Sequence, residues 1–264
     1  MVTKDNVILY YQEDLVETAK ANILIVHGIA EHLHRYDEVV KKLNEAGYNV
    51  YRFDLRGHGK TSGKRGYLRS IDDVLSDIQM LVSNIKSQND KKVFLLGHSL
   101  GGGITNIYAS TVGDIDGYIS SGAASDTVKQ LNLFKVIPYQ LIRWVTIKNN
   151  LAKNSLSTIE EVETNYQKDP YVLKKYKIGY LGEVMLKGVR RLKKNYDNIK
   201  MPVLIMHGKL DPIVPVEFSE NLYQKIASED KEILILKDSL HEIYNDIERD
   251  ITINKTIEWL DNHA

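Results

Sequence analysis

The sequence predicts an α/β protein, a mostly parallel central sheet flanked by helices and interrupted by a helical insertion. Three observations carry this expectation. Short apolar runs rich in Ile, Leu and Val alternate with longer segments of helical spacing. One run, Val93 to Leu96, opens directly into the glycine-rich turn Gly97-His98-Ser99-Leu100-Gly101. The alternation lapses from about Ala123 to Lys200 and then resumes.

Taken in order, Ile23 to Val26 reads as a buried strand ending at His27-Gly28. The segment from about Tyr36 to Ala46 is helical, because Val39, Val40 and Leu43 share a face and Gly47 stops it. Asn49 to Phe53 is the next strand, ending at Asp54. A helix is expected from about Ser70 to Lys86. Asp72 and Asp73 suit its first turn, and Ile71, Val74, Leu75, Ile78, Leu81, Val82 and Ile85 keep a 3.6-residue period. After the strand Val93 to Leu96, a helix runs to about Ser110, and Tyr118 to Ser120 is a short strand. The rhythm returns with the strand Val203 to Met206, a helix from Val216 to Ala227, the strand Glu232 to Leu236, and a helix from Arg249 to about Asp261. Residues 1–122 and 201–264 therefore read as one core. Residues 123–200 hold two apolar or amphipathic stretches, Leu131 to Ile147 and Val172 to Val189, and no convincing strand. They read as a helical cap inserted between two strands.

Composition bounds the function. With 264 residues, 43% apolar and 27% charged, the chain suits one large globular domain and not a disordered one. Lys+Arg and Asp+Glu are both 35, and no long basic run occurs, which argues against a nucleic-acid partner. The absence of cysteine excludes disulfides, thiolate nucleophiles and cysteine-ligated metals. Met1 to Tyr11 lacks the basic start and apolar core of a secretory signal, and no apolar stretch approaches the ~20 residues of a membrane span. The expected location is cytoplasmic, with room for peripheral contact with lipid.

Gly97-x-Ser99-x-Gly101 carries the chemistry. A serine hydroxyl reacts only when it is exposed and a base takes its proton, and a sharp strand-to-helix turn provides the exposure. Here the motif follows an apolar strand and opens a helix, as that mechanism requires. The base is expected last in the chain and the acid between the two, each after a strand. His241 follows the strand ending at Leu236, and Asp211 follows the strand ending at Met206. Asp238 is a rival acid, but three residues from His241 is a poor position for reaching its Nδ1. His27 and His207 each end a strand beside a glycine and read as structural. Backbone N–H groups of Leu100 and Ile29 are the candidate oxyanion donors, the first following the nucleophile and the second lying in the loop after the strand ending at Val26.

With these motifs in place, the sequence resembles the monoacylglycerol lipase branch of the α/β-hydrolases, proteins also described as lysophospholipase-like or serine aminopeptidase S33-type. The match rests on His27-Gly-Ile-Ala-Glu-His-Leu-His-Arg-Tyr36, Asp54-Leu-Arg-Gly-His-Gly-Lys-Thr-Ser-Gly63, Gly97-His-Ser-Leu-Gly-Gly102, His207-Gly-Lys-Leu-Asp-Pro212 and His241-Glu242. The resemblance implies the α/β-hydrolase fold and hydrolysis of a lipid ester, foremost a monoacylglycerol, through an acyl-enzyme without metal or organic cofactor. It also implies that Glu31, Arg35 and His98 help place the glycerol head group. The bland alternative is that Glu31 and Arg35, four residues apart, simply pair with each other. Asp54, Arg56 and His58 are expected to brace their loop. Ala30 departs from the glycine common at that position in relatives.

Lysophospholipase, broad carboxylesterase and acyltransferase activities share the same triad and stay open, as does a non-catalytic ligand-binding relative. A peptidase is disfavoured, since nothing marks a site for a peptide amine. In the insertion, Leu131, Leu133, Phe134, Val136, Ile137, Leu141, Ile142, Trp144 and Val145 are more apolar than one helix face requires. They are candidates for an acyl tunnel and for transient contact with a membrane or micelle surface.

Overall fold

The computed structural model describes residues 1–127 and 138–264. Nine strands occur among them: β1 (Tyr11–Asp14), β2 (Asn22–Val26), β3 (Asn49–Phe53), β4 (Val93–His98), β5 (Gly117–Ser121), β6 (Thr146–Lys148), β7 (Lys175–Lys177), β8 (Val203–Gly208) and β9 (Lys231–Leu236). Seven form one sheet in the order β1-β3-β2-β4-β5-β8-β9. All neighbours run parallel except β1, which is antiparallel to β3. The helices among the described residues are α1 (Asp37–Glu45), α2 (Ile71–Gln88), α3 (Leu100–Thr111), α4 (Tyr139–Ile142), α5 (Glu160–Lys168), α6 (Ile178–Leu181), α7 (Val189–Lys194), α8 (Glu217–Lys225) and α9 (Arg249–His263).

Strands β2 to β5 and β8 are buried on both faces, which is why Ile23–Val26, Val93–Leu96 and Val203–Met206 read as unbroken apolar runs and not as alternating ones. The period of two survives in what each face packs against. Ile23, Ile25, Phe94 and Leu96 meet Val39, Val40 and Leu43 of α1 and Trp259 and Leu260 of α9. Leu24, Val26, Val93 and Leu95 belong to the other core, with Val74, Ile78 and Val82 of α2 and Ile104 and Ile107 of α3. The helix boundaries follow local chemistry. Gly47, at φ 89°, supplies the left-handed turn after α1. The Ser70 hydroxyl accepts from the Asp72 N–H to cap α2.

Register brings the loops together. β2 pairs with β4 so that Val26 faces Gly97, and β8 pairs with β9 so that Gly208 faces Leu236. The loops leaving β2 and β4 are thus neighbours at the carboxyl edge, where chain order changes direction and open α/β sheets bind ligands.

Two features differ from the sequence expectations. β1 lies in a segment to which the sequence reading assigned no element, and its four polar residues pair along β3 at the sheet edge. The segment between β5 and β8 contains strands after all, the short antiparallel pair β6 and β7, with Ile147 opposite Tyr176. The expected helical stretch from Val172 begins as β7 and only then becomes α6, a π-helical turn Gly182–Gly188, and α7. Leu131, Leu133, Phe134, Val136 and Ile137 lie outside the described residues.

Candidate active site

Ser99 sits between β4 and α3 with φ 55° and ψ −121°, a conformation costing a side-chain-bearing residue about 1–3 kcal/mol. The surroundings hold it there. Its N–H donates to Ser121 O at 2.8 Å, and its carbonyl accepts from Gly103 and Ala124 N–H at 3.0 Å each. The tight turn also needs glycine at 101, because a Cβ there would lie 2.1 Å from Val26 O and 2.3 Å from His27 O.

The Ser99 Oγ lies 2.7 Å from His241 Nε2, and His241 Nδ1 lies 2.6 Å from Asp211 Oδ2. All three side chains are buried or nearly so. The second carboxylate oxygen of Asp211 accepts from the Ile213 and Val214 N–H groups at 2.8 and 3.0 Å. His207, expected to be structural, makes a further contact with the acid: its Nε2 lies 3.1 Å from Asp211 Oδ2 and 2.9 Å from Val214 O, while its Nδ1 meets Ser219 Oγ at 2.7 Å. Donation from Nε2–H and acceptance at Nδ1 satisfy this network. Burial raises the Asp211 carboxyl, but the adjoining His241 and the hydrogen bonds from His207 and His241 outweigh it and hold the group well below the usual carboxylate range. Burial likewise lowers His241, yet the Asp211 charge and hydrogen bond win and raise it. Asp238 is exposed, and its N–H donates to Glu248; the rival acid is not part of this array.

Ile29 and Leu100 both line one cavity with Ser99. Among the described residues, neither N–H has a hydrogen-bond acceptor. The loop carrying Ile29 is fixed from below. The Gly28 N–H donates to Glu31 Oε1 at 2.5 Å, and His27 Nδ1 lies 2.8 Å from Gly28 O. The His27 Nε2 accepts from Leu55 N–H at 2.9 Å. Burial pushes the His27 imidazole down to about 4, so it is neutral at pH 7 and can accept. Ala30 holds φ 69°, the left-handed region in which glycine is easier. Asp54 accepts from the Leu33 and Lys60 N–H groups, and Arg56 is fixed by Asp5 and Asp77. His58 packs edge-on to Tyr180, with its Nδ1 on Arg56 O.

The cavity measures about 420 Å³. Besides Ile29, Leu100 and Ala124 of the core, the segment between β5 and β8 contributes Leu151, Tyr176, Leu181 and Met185, with Lys148 and Asn150 the polar members. The sequence did not single these residues out. The available signal was the four-residue spacing of Leu181 and Met185, which the π-helical turn turns to the same side.

Glu31, Arg35 and His98 are not among the described cavity-lining residues. A Cβ on Gly28 would meet the Glu31 carboxylate at 2.6 Å and Ser99 Cβ at 3.0 Å, so both flank that glycine. Arg35 Nε lies 3.4 Å from Glu31 Oε2, and its Nη2 donates to Glu242 Oε2. The pairing considered from spacing alone therefore exists, but it is buried and shared with a third residue. The His98 ring lies 4.9 Å from that of His241, its Nδ1 is 3.2 Å from Ser121 Oγ, and burial holds it well below the ordinary histidine value.

The family described as Serine aminopeptidase, S33, has a sequence model that matches residues 17–248. The chain belongs to this family. Its relatives include a monoacylglycerol lipase of Mycolicibacterium smegmatis, 28% identical over 250 residues, 91% of this chain and 88% of the relative. A phospholipase of Bacillus subtilis is 25% identical, over 87% of this chain and 91% of its own. The crystal structure of a Paleococcus ferrophilus monoacylglycerol lipase matches with a TM-score of 0.87 at 32% identity, covering 97% of this chain and 100% of that one. The family and its fold agree with the resemblance read from the motifs. Among the described residues no helix is long and apolar enough to cross a membrane.

Proposed function

We propose that this member of the family is a serine hydrolase of lipid carboxylic esters. It cleaves monoacylglycerols to glycerol and fatty acid through an acyl-enzyme at Ser99. The observation that carries the reading is the continuous chain Ser99–His241–Asp211, at 2.7 and 2.6 Å, whose Ser99 lies in the wall of an apolar cavity. In the reaction, Ser99 Oγ attacks the ester carbonyl carbon as His241 Nε2 takes its proton. The carbonyl oxygen becomes an oxyanion that accepts from the Ile29 and Leu100 N–H groups. His241 then returns the proton to the departing glycerol oxygen, leaving the acyl group on Ser99. Water enters, gives its proton to His241, and its oxygen displaces Ser99 Oγ, which is reprotonated as the fatty acid leaves.

Residues 123–200 act as the cap in this proposal, their Leu151, Tyr176, Leu181 and Met185 facing the acyl chain. Glu31, Arg35 and His98 serve the glycerol end, an assignment supported by Glu31 and Ser99 flanking Gly28 and by His98 adjoining His241. Exposed Leu141, Trp144 and Val145 support contact of the cap with a lipid surface. A lysophospholipase reading is favoured by one observation, the cationic Lys148 in the cavity wall, which suits a phosphate better than a polyol does.

The deciding experiment measures fatty-acid release from monoacylglycerols of graded length against matched lysophospholipids and p-nitrophenyl esters, with Ser99→Ala as control. Preference for monoacylglycerol, abolished in the variant, is expected. Preference for lysophospholipid would move the substrate, activity on simple esters alone would sink the head-group assignment, and activity persisting in Ser99→Ala would sink the mechanism.

A further inference from the structure

We propose that Glu242 is a positioning residue: with Arg35 and Glu31 it forms a buried ionic clasp that holds the oxyanion loop and the His241 loop in register. This rests on the hydrolase reading above and assigns a task to a residue that reading does not use.

The clasp joins three parts of the chain. Glu31 and Arg35 follow β2, Glu242 adjoins His241 in the loop after β9, and Tyr166 comes from α5. The Arg35 guanidinium donates to Glu242 Oε2, lies 3.4 Å from Glu31 Oε2, and stacks 4.7 Å over the Tyr166 ring. Glu31 uses its other oxygen to accept from Gly28 N–H and from Tyr36 OH, at 3.0 Å for the latter. The chain of contacts therefore runs from the turn preceding Ile29 N–H to the residue after His241 without leaving the protein interior. Glu242 is itself fixed, since its N–H donates to Leu156 O at 2.7 Å and Asn245 Nδ2 donates to its carboxylate at 3.0 Å. Only 9% of the Arg35 side chain and 4–6% of the two glutamates are exposed. Two carboxylates on one cation, all out of water, cost more in desolvation than a single pair. Arrangements of this kind act through geometry and field, and here both are directed at the reacting groups.

The field has a definite sign. Among the described residues, the charged and titratable groups acting on His241 include Asp211, Glu242, Glu31 and His98, and Arg35 is joined to both glutamates. Burial lowers the imidazole, while Asp211, Glu242 and Glu31 raise it. Removing the Glu242 charge lowers the His241 pKa, so the neutral base persists to lower pH. Glu31, pushed up to about 7 by burial and by Glu242, becomes more fully ionised when Glu242 is neutralised. That offsets part of the shift.

The test uses p-nitrophenyl butyrate, which has no glycerol, beside a monoacylglycerol. For Glu242→Gln, kcat on both substrates falls about tenfold with KM on the butyrate within about twofold, and the acidic limb of kcat/KM moves to lower pH. Arg35→Lys keeps the charge and loses the fork between two carboxylates; its kcat falls similarly while the limb stays in place. If Glu242→Gln does not fold, Arg35→Lys decides by its kcat on the butyrate. Loss on monoacylglycerol alone, with the butyrate unaffected, would leave the cluster its head-group role only and overturn the clasp. An unmoved acidic limb in folded Glu242→Gln would overturn it as well. Wild-type protein inactive on both esters sinks the hydrolase reading and the clasp with it, whereas active wild type with unchanged variants overturns the clasp alone.

Discussion

Ser99, Asp211 and His241 each depend on a neighbour that a motif does not name. Ser99 is kept at positive φ by backbone hydrogen bonds to β5 and to the loop after it. Asp211 is aimed by His207 and two backbone N–H groups, which leave Oδ2 toward His241. That arrangement makes Asp211→Asn informative. An amide retaining its oxygen toward the Ile213 and Val214 N–H groups turns its NH2 to His241 Nδ1, which must then accept. The proton moves to Nε2, where the base should be vacant. We expect kcat on a p-nitrophenyl ester to fall by about 10⁴ with the fold intact by circular dichroism. The raised His241 sets the sign of the pH dependence. The reactive form is neutral, so kcat/KM is lost as pH falls through a value above the ordinary 6.5. An acidic limb below that value would contradict the assigned partner. Glu31 gives a stability signature with its own window. Its folded pKa, about 7, lies above the ordinary 4.5, so its contribution is full below about 4.5 and is lost as pH rises through about 7. Urea midpoints of wild type relative to Glu31→Gln should decline across that interval, and a flat difference would rule the shift out.

At the scale of elements, close packing of α3 on β2 is the sharpest constraint. The Gly101→Ala methyl meets two backbone carbonyl oxygens that cannot rotate away. We expect a loss of about 3 kcal/mol or more, the upper end for overpacking, measured as the urea midpoint. Ser87→Ala near the end of α2, which is exposed, should change little. How much of the structure could be read in advance follows from the same kind of constraint. β2, β4 and β8 were legible because burial on both faces forces apolar runs, and α1 and α2 because one face must be apolar while Gly47 and Ser70 mark their ends. β1 was not, because Tyr-Gln-Glu-Asp at an edge is defined by its partner β3 and not by its own hydropathy. β6 and β7 have three residues each, too few for any period to register. That Ser99, His241 and Asp211 would meet was legible because this fold sets their order and their strand-end positions. The link from Arg35 to Glu242 spans 207 residues and left no local trace.

For the whole molecule, two apolar cores lie on opposite faces of the sheet, and the cavity opens where the segment between β5 and β8 meets its carboxyl edge. That segment is tied to the core by side-chain stacking: Trp144 lies parallel to Tyr67 at 4.7 Å, with Lys64 4.2 Å over the Trp144 ring. Beside the stack, Leu141 and Val145 are 76% and 47% exposed. A lipid ester of low solubility reaches a buried serine most directly from an interface, and these side chains with nearby lysines are suited to rest on one. The double substitution Leu141→Ser with Val145→Ser removes apolar surface without touching the Trp144 stack or the cavity. Partition into vesicles of mixed neutral and anionic lipid should fall about tenfold or more, given ~1.5–3 kcal/mol for fully burying each side chain and less at an interface. Hydrolysis of dissolved p-nitrophenyl butyrate should be unchanged, while monoacylglycerol presented in vesicles is cleaved more slowly. Equal partition of wild type and double variant would place the route of entry elsewhere on the surface.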